Sequence, residues 1–276
     1  MNPPENPESV QPAIPDFEPP PSEARSLESA VSAGRDPVWT GWDVLALVVF
    51  GLVALLSLTL AAIAMLPGVT FQQKIRTLVA TPEVALAVQV VAELLVIACM
   101  YVIVLSRSRG AKFWQSVHWK WPTNFGWYLL IGVMMQAVFL LVARFLPFPR
   151  ETPLQEILKR PYSMLIILVF SITLGPLFEE LFFRGFLFSV LRRSFGPLVA
   201  IVGTAVPFGL VHASQYGYSW ASVLLICMVG LVLATVREKK DSLAASFLVH
   251  VAYNSVIVLA LGLGTDGFRH LEKLNQ

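Results

Sequence analysis

From residue 44 to residue 66 the chain carries no charged side chain, and a stretch of that length and character has few structural options. A helix rises about 1.5 Å per residue, so roughly 20 apolar residues cross the ~30 Å hydrocarbon core of a bilayer. Lipid offers no partner to backbone N–H and C=O groups, and a helix satisfies them within the segment itself.

Six further stretches pass the same test. They are residues 84–105, interrupted by Gln89 and Glu93; 127–146; 162–193; 197–213; 220–236; and 243–263. The fourth is long and holds Gly175, Pro176 and a charged cluster in its middle, where a kink or break is expected. The fold class read from this pattern is an all-α polytopic transmembrane helix bundle of seven spans, with an eighth left open. With 56% hydrophobic and only 14% charged residues, the composition excludes an ordinary globular domain. Trp39, Trp42, Trp114, Trp119, Trp121, Trp127 and Trp220 all fall at or near expected span ends, where amphipathic indoles settle at the headgroup level.

Ahead of the first span, residues 1–40 hold seven acidic side chains against Arg25 and Arg35, and nine of the nineteen prolines lie before residue 38. This stretch lacks the basic start and short apolar core of a signal peptide and reads as a disordered, solvated tail. Two units are therefore expected: the tail, 1–40, and a transmembrane domain, 41–276. Beyond residue 40, basic side chains outnumber acidic ones by 18 to 11, which suits loops beside anionic lipid headgroups and does not suggest nucleic acid. Eleven Lys and Arg fall on the tail's side of the membrane and seven on the other, which favours an internal N-terminus in the cell membrane. Cys99 and Cys227, each inside an apolar run, read as small core residues.

Against this background, three polar groupings need a reason, since an ionisable group at membrane depth costs at least ~2.5–3.5 kcal/mol. They are Glu179, Glu180 and Arg184; Phe208 and His212; and His250 and Asn254. On a helix, positions four apart share a face, so Glu180 and Arg184 can pair while Glu179 points elsewhere. That leaves Glu179 free to face a cavity as a general base, with Glu180 and Arg184 as an internal ion pair. Singly, each residue has a plainer reading: a solvated helix end for the glutamates, packing for the histidines, and interhelical hydrogen bonding for Asn254. Together, on three segments, they offer a base, two imidazoles and a carboxamide. Peptide hydrolysis needs such groups to activate water and to stabilise the developing oxyanion. Gln89, Glu93 and Gln136 could line the same cavity or pair across helices. His118, among three tryptophans, reads as an interfacial residue.

The order Glu-Glu-x-x-x-Arg, Phe-x-x-x-His, His-x-x-x-Asn resembles that of the CPBP (CaaX protease and bacteriocin-processing, or Abi) intramembrane proteases, which include type II CaaX prenyl endopeptidases. The likeness is closest around Pro176 to Gly185 and spans residues 162–263. It implies that Glu179 and His212 hold and activate the attacking water and that His250 and Asn254 stabilise the oxyanion. Glu180, Arg184 and Phe208 would support the site. A Glu179/His212/His250 set could also bind a divalent metal such as zinc, although neither His-Glu-x-x-His nor His-x-x-Glu-His occurs. The resemblance accommodates metal-dependent or metal-free hydrolysis, and the metal-free form is preferred. Implied partners are membrane lipid and a membrane-associated or prenylated protein, or a leader peptide. A second reading is a non-catalytic bacteriocin-immunity or scaffold protein of the same fold. A proton-coupled transporter is disfavoured because no internal repeat is visible.

Overall fold

The computed structural model describes residues 39–107, 112–149 and 151–265, Pro161 by its backbone alone. Most of the expected tail, residues 1–38, and the polar stretch from residue 266 onward lie outside the described residues. Helices α1 (Gly41–Met65), α2 (Phe71–Ala80), α3 (Pro82–Arg107), α4 (Phe113–Ser116) and α5 (Phe125–Ala143) are followed by α6 (Pro153–Leu158), α7 (Pro161–Ile172) and α8 (Leu174–Glu179). A π-helix, Glu180–Leu187, leads into α9 (Phe188–Phe195), α10 (Pro197–Val211), a 3₁₀ turn (Ala213–Tyr216), α11 (Trp220–Lys240) and α12 (Leu243–Gly264). Among the described residues there is no strand.

The stretch expected to kink is broken between α7 and α8, at Thr173. Pro176 has no N–H to offer the carbonyl of Ile172, and its ring would crowd that carbonyl in a continuous helix. Counted as one segment, Tyr162–Phe195 is among six candidate spans, within the described residues, long and apolar enough to cross a membrane. These six spans make the chain an integral membrane protein, but they correct the expected number. The fifth expected span, 197–213, is the 15-residue helix α10. It measures about 22 Å, short of the ~30 Å needed. Its apolar run is ended by His212 at the C-cap and by the 3₁₀ turn that follows.

The bundle is held by close helix contacts. α5 lies along α12, α10 along α11, α1 along α3, and α9 along α10. Lipid is as apolar as leucine, so helices associate in a membrane where small residues let backbones approach. A β-carbon added at Gly132 on α5 would sit 2.4 Å from the Val249 carbonyl and 2.7 Å from Ala252 Cβ on α12. At Gly230 on α11 it would meet Ala205 Cα at 2.9 Å. Gly132→Ala should therefore cost about 1–3 kcal/mol as an overpacked core position. It should lower the thermal midpoint in detergent relative to Gly126→Ala, where the added carbon meets nothing within 4 Å. Equal midpoints would show that α5 and α12 can part without cost.

At one membrane face the segment leading to α5 is tied to the turn before α12. The Leu243 N–H donates to the His118 carbonyl at 2.9 Å, and the Ser242 hydroxyl to the Lys120 carbonyl. Asp241 Oδ2 accepts from Lys120 Nζ at 2.6 Å, and its Oδ1 accepts from Arg237 Nη1 at 3.1 Å. His118 Nδ1 lies 2.8 Å from the same oxygen but out of line for a hydrogen bond. Burial, opposed by the Lys120 hydrogen bond and by the charges of His118, Arg237 and Lys120, leaves the Asp241 carboxyl below the usual 3.8. Burial of the His118 ring, reinforced by Arg237 and Lys120 and opposed by Asp241, holds the imidazole below 6.5. Each group binds a proton less readily folded than unfolded, so both contributions are complete above the unfolded values. The His118 contribution goes as pH falls from 6.5 toward its lower folded value, and that of Asp241 below 3.8. The thermal midpoint should therefore drop on acidification from neutral pH, with a shallower drop in His118→Gln between pH 7 and 5. Parallel curves would remove His118 from the account.

Candidate active site

His212 and Glu179 owe their orientation to helix ends. At the close of α10 the His212 N–H bonds to the Gly209 carbonyl at 3.2 Å, leaving the Phe208 carbonyl among the orphans of a helix C-terminus. The His212 ring satisfies it, Nδ1 to Phe208 O at 2.7 Å. A carbonyl can only accept, so Nδ1 carries the proton and a neutral His212 presents a bare Nε2. That nitrogen lies 3.6 Å from Glu179 Oε1, at the last residue of α8. Two acceptors thus face each other 3.6 Å apart, so a donor that serves both must approach from beside the pair.

The other oxygen of Glu179 faces a second imidazole, His250 Nε2, at 3.5 Å. His250 Nδ1 lies 3.1 Å from Glu180 Oε1, a carboxylate oxygen, so this ring too carries its proton on Nδ1 and turns Nε2 toward Glu179. Glu180 Oε1 lies 3.2 Å from Arg184 Nη1, and its Oε2 accepts from the Ser246 hydroxyl at 2.5 Å. Arg184 also donates from Nη2 to the Gly230 carbonyl at 3.2 Å, and its guanidinium lies 4.3 Å from the Phe208 ring centroid. The Phe208 ring stands tilted against His212 at 4.9 Å and edge-on to His250 at 5.8 Å. Phe208 is therefore the hub: its carbonyl sets the tautomer of one histidine, and its ring carries the arginine and the second histidine.

Exposure divides the cluster. The side chains of Glu180 and Arg184 are fully buried and His250 is 4% exposed, whereas His212 and Glu179 are 17% and 23% exposed. The accessible side is the Glu179/His212 pair, and the dry side is the ion pair with its histidine. With both imidazoles neutral, the two carboxylates and one guanidinium carry a net charge of about −1. A proton arriving on either ring therefore falls beside a carboxylate.

The remaining residues read from the sequence are placed differently. Asn254 lies one turn beyond His250 on α12, but its Nδ2 donates to the Ser171 carbonyl of α7 at 2.7 Å. Gln89 and Glu93 hydrogen-bond to each other on α3 at 2.9 Å. Ser246 was not among the residues singled out from the sequence, although a signal was there: Ser246, His250 and Asn254 follow one another at intervals of four, on one helix face. Sequence spacing gave no indication of Arg237, whose Nε donates to the Arg184 carbonyl at 3.3 Å.

The donor set includes groups that hold zinc elsewhere, with each imidazole oriented through Nδ1 as metal-binding histidines are. Here His212 and His250 face different oxygens of Glu179. Among the described residues no group of three or more His, Cys, Asp or Glu side chains is arranged to hold a metal ion.

Residues 161–256, about a third of the chain, match the model of the type II CAAX prenyl endopeptidase Rce1-like family. That is a protease family, and the match agrees with the resemblance read from the three motifs, all of which lie within it. No curated protein and no solved structure matches the chain.

Proposed function

We propose, with that family match as the premise, that the chain is an intramembrane endopeptidase using Glu179 as its general base. The observation that carries the reading is the Glu179 carboxylate held between two imidazole Nε2 atoms, on the accessible side of an otherwise dry ionic cluster. A water set against the accessible side of Glu179 and His212 finds two acceptors for its protons. As its oxygen bonds to the scissile carbonyl carbon, Glu179 takes one proton and the carbonyl oxygen becomes an oxyanion. His250, when protonated on Nε2, can donate to that oxyanion, and Asn254 can join it by releasing the Ser171 carbonyl. Collapse of the tetrahedral intermediate breaks the C–N bond, and the proton held by Glu179 leaves with the amine. Glu180, Arg184 and Phe208 hold the two rings in place.

The substrate class we assign is a membrane-associated protein or peptide, either a prenylated CaaX protein or a leader peptide. The enzyme would work in the cell membrane with its N-terminus inside. The test is cleavage of prenylated CaaX and leader-type peptides by the purified chain in liposomes, with products identified by mass. Cleavage at one bond, undiminished by chelator, is the expected result. Chelator-sensitive cleavage would overturn the metal-free mechanism. No cleavage of any peptide would favour an immunity or scaffold role, to which the commitment of Asn254 to Ser171 already lends some weight.

A further inference from the structure

The chain changes helix type between the two glutamates, Glu179 closing α8 and Glu180 opening the next segment. From Glu180 to Leu187 it is a π-helix, in which each N–H reaches five residues back. The Phe188 N–H still bonds to the Phe183 carbonyl, and α spacing then resumes in α9. A change of reach from five to four passes over one carbonyl, and by that count it belongs to Arg184. This carbonyl is buried in the bundle, where an unmet acceptor is costly. It accepts from Arg237 Nε at 3.3 Å. The next two carbonyls are also met by side chains: Gly185 O by the Ser189 hydroxyl at 2.6 Å and Phe186 O by Trp39 Nε1 at 3.1 Å.

Trp39 is a departure from the expected interfacial indoles. It is fully buried and stacks on Phe186 with ring centroids 4.2 Å apart. Arg237 is likewise buried along its length, its guanidinium 5.6 Å from the Phe188 ring centroid and its Nη1 on Asp241. Two donors from distant parts of the chain, Trp39 and Arg237, and the nearby Ser189 therefore converge on the point where the π-helix ends. An α-helix advances about 100° per residue, so reverting the bulge while α9 stays anchored would swing Glu179 and Glu180 by an angle of that order.

We infer that Arg237 is a positioning residue for the site: by satisfying the carbonyl that the π-to-α transition passes over, it holds the register that aims Glu179 at His212 and Glu180 at Arg184. Ser189 and Trp39 secure the next two carbonyls, those of Gly185 and Phe186, in the same way. The kinetic consequence rests on the peptidase reading, whereas the structural one does not.

The test compares two isosteres. Arg237→Gln keeps an N–H donor at the position of Nε, and Arg237→Met keeps the length without a donor. Each protein is read by ¹⁵N NMR of its labelled histidines in detergent, with His212 and His250 assigned by single replacement, and by steady-state cleavage. Arg237→Met should shift both imidazole spectra and lower kcat on the order of 10²-fold at unchanged KM, the effect of a small misplacement. Arg237→Gln should restore both. Identical behaviour of the two variants, or wild-type His212 and His250 spectra in Arg237→Met, would overturn the inference. If Arg237→Met does not accumulate, Trp39→Phe, which keeps the stacking and loses only the N–H, is read in the same way. A wild type that cleaves nothing would sink the peptidase reading and leave the spectra to decide the role of Arg237.

Discussion

Glu179→Gln is expected to lower kcat for peptide cleavage by about 10²–10⁴-fold, the usual contribution of a positioned general base. Glutamine fills the same volume and can still hydrogen-bond, but it cannot take a proton from water. The fold should be little affected. Glu179 meets its two imidazoles at 3.6 and 3.5 Å and is 23% exposed, so its loss leaves no charge stranded in a dry interior. The measurement is single-turnover cleavage beside the thermal midpoint of the same preparation. Undiminished turnover would remove Glu179 from the mechanism, and a cellular phenotype that survives the substitution would point to the non-catalytic reading.

The neighbouring glutamate should behave in the opposite sense. Removing one member of a buried ion pair leaves the other unpaired, at a cost of about 3–5 kcal/mol. Glu180 and Arg184 are both fully buried. Glu180→Ala strands the Arg184 guanidinium and deprives the His250 Nδ1–H of its acceptor, while the Ser246 hydroxyl keeps only the Leu233 carbonyl. Arg184→Met leaves the Glu180 carboxylate without its cation and takes a donor from the Gly230 carbonyl. Both should accumulate poorly and melt well below Glu179→Gln. The double variant Glu180→Leu/Arg184→Met should recover part of that loss, because buried ion pairs can often be replaced by apolar groups. Midpoints for the single variants equal to that of Glu179→Gln would show that the pair contributes nothing to the fold.

Glu179 and Glu180, adjacent in sequence, thus take different parts, and the spacing accounts for only some of that. The interval of four between Glu180 and Arg184 placed them on one face, and the motifs marked His212, His250 and Phe208. The hydrophobic pattern similarly located the membrane helices. Spacing could not reveal the π-helix, because its end is secured by donors 147 residues away at Trp39 and 53 away at Arg237. Nor could it reveal that Asn254 turns to Ser171, 83 residues earlier. The span count failed for a local reason: an apolar run of nearly the right length is cut short by a histidine cap whose ring serves the site. The tautomer of His212 follows from the same cap and is invisible until the helix end is seen.

The shortness of α10 bears on the lipid as well as on the protein. A 15-residue helix presents about 22 Å of apolar length where its neighbours present a full hydrocarbon core. A bilayer around it must thin, or admit headgroups and water toward His212, at a cost of fractions of a kcal/mol per Å. Hydrophobic mismatch thus becomes a local property of the protein, concentrated on the side where the imidazole waits. Membranes with shorter acyl chains would meet that side at least cost, so the lipid composition itself enters the energetics of bringing water and peptide to the site.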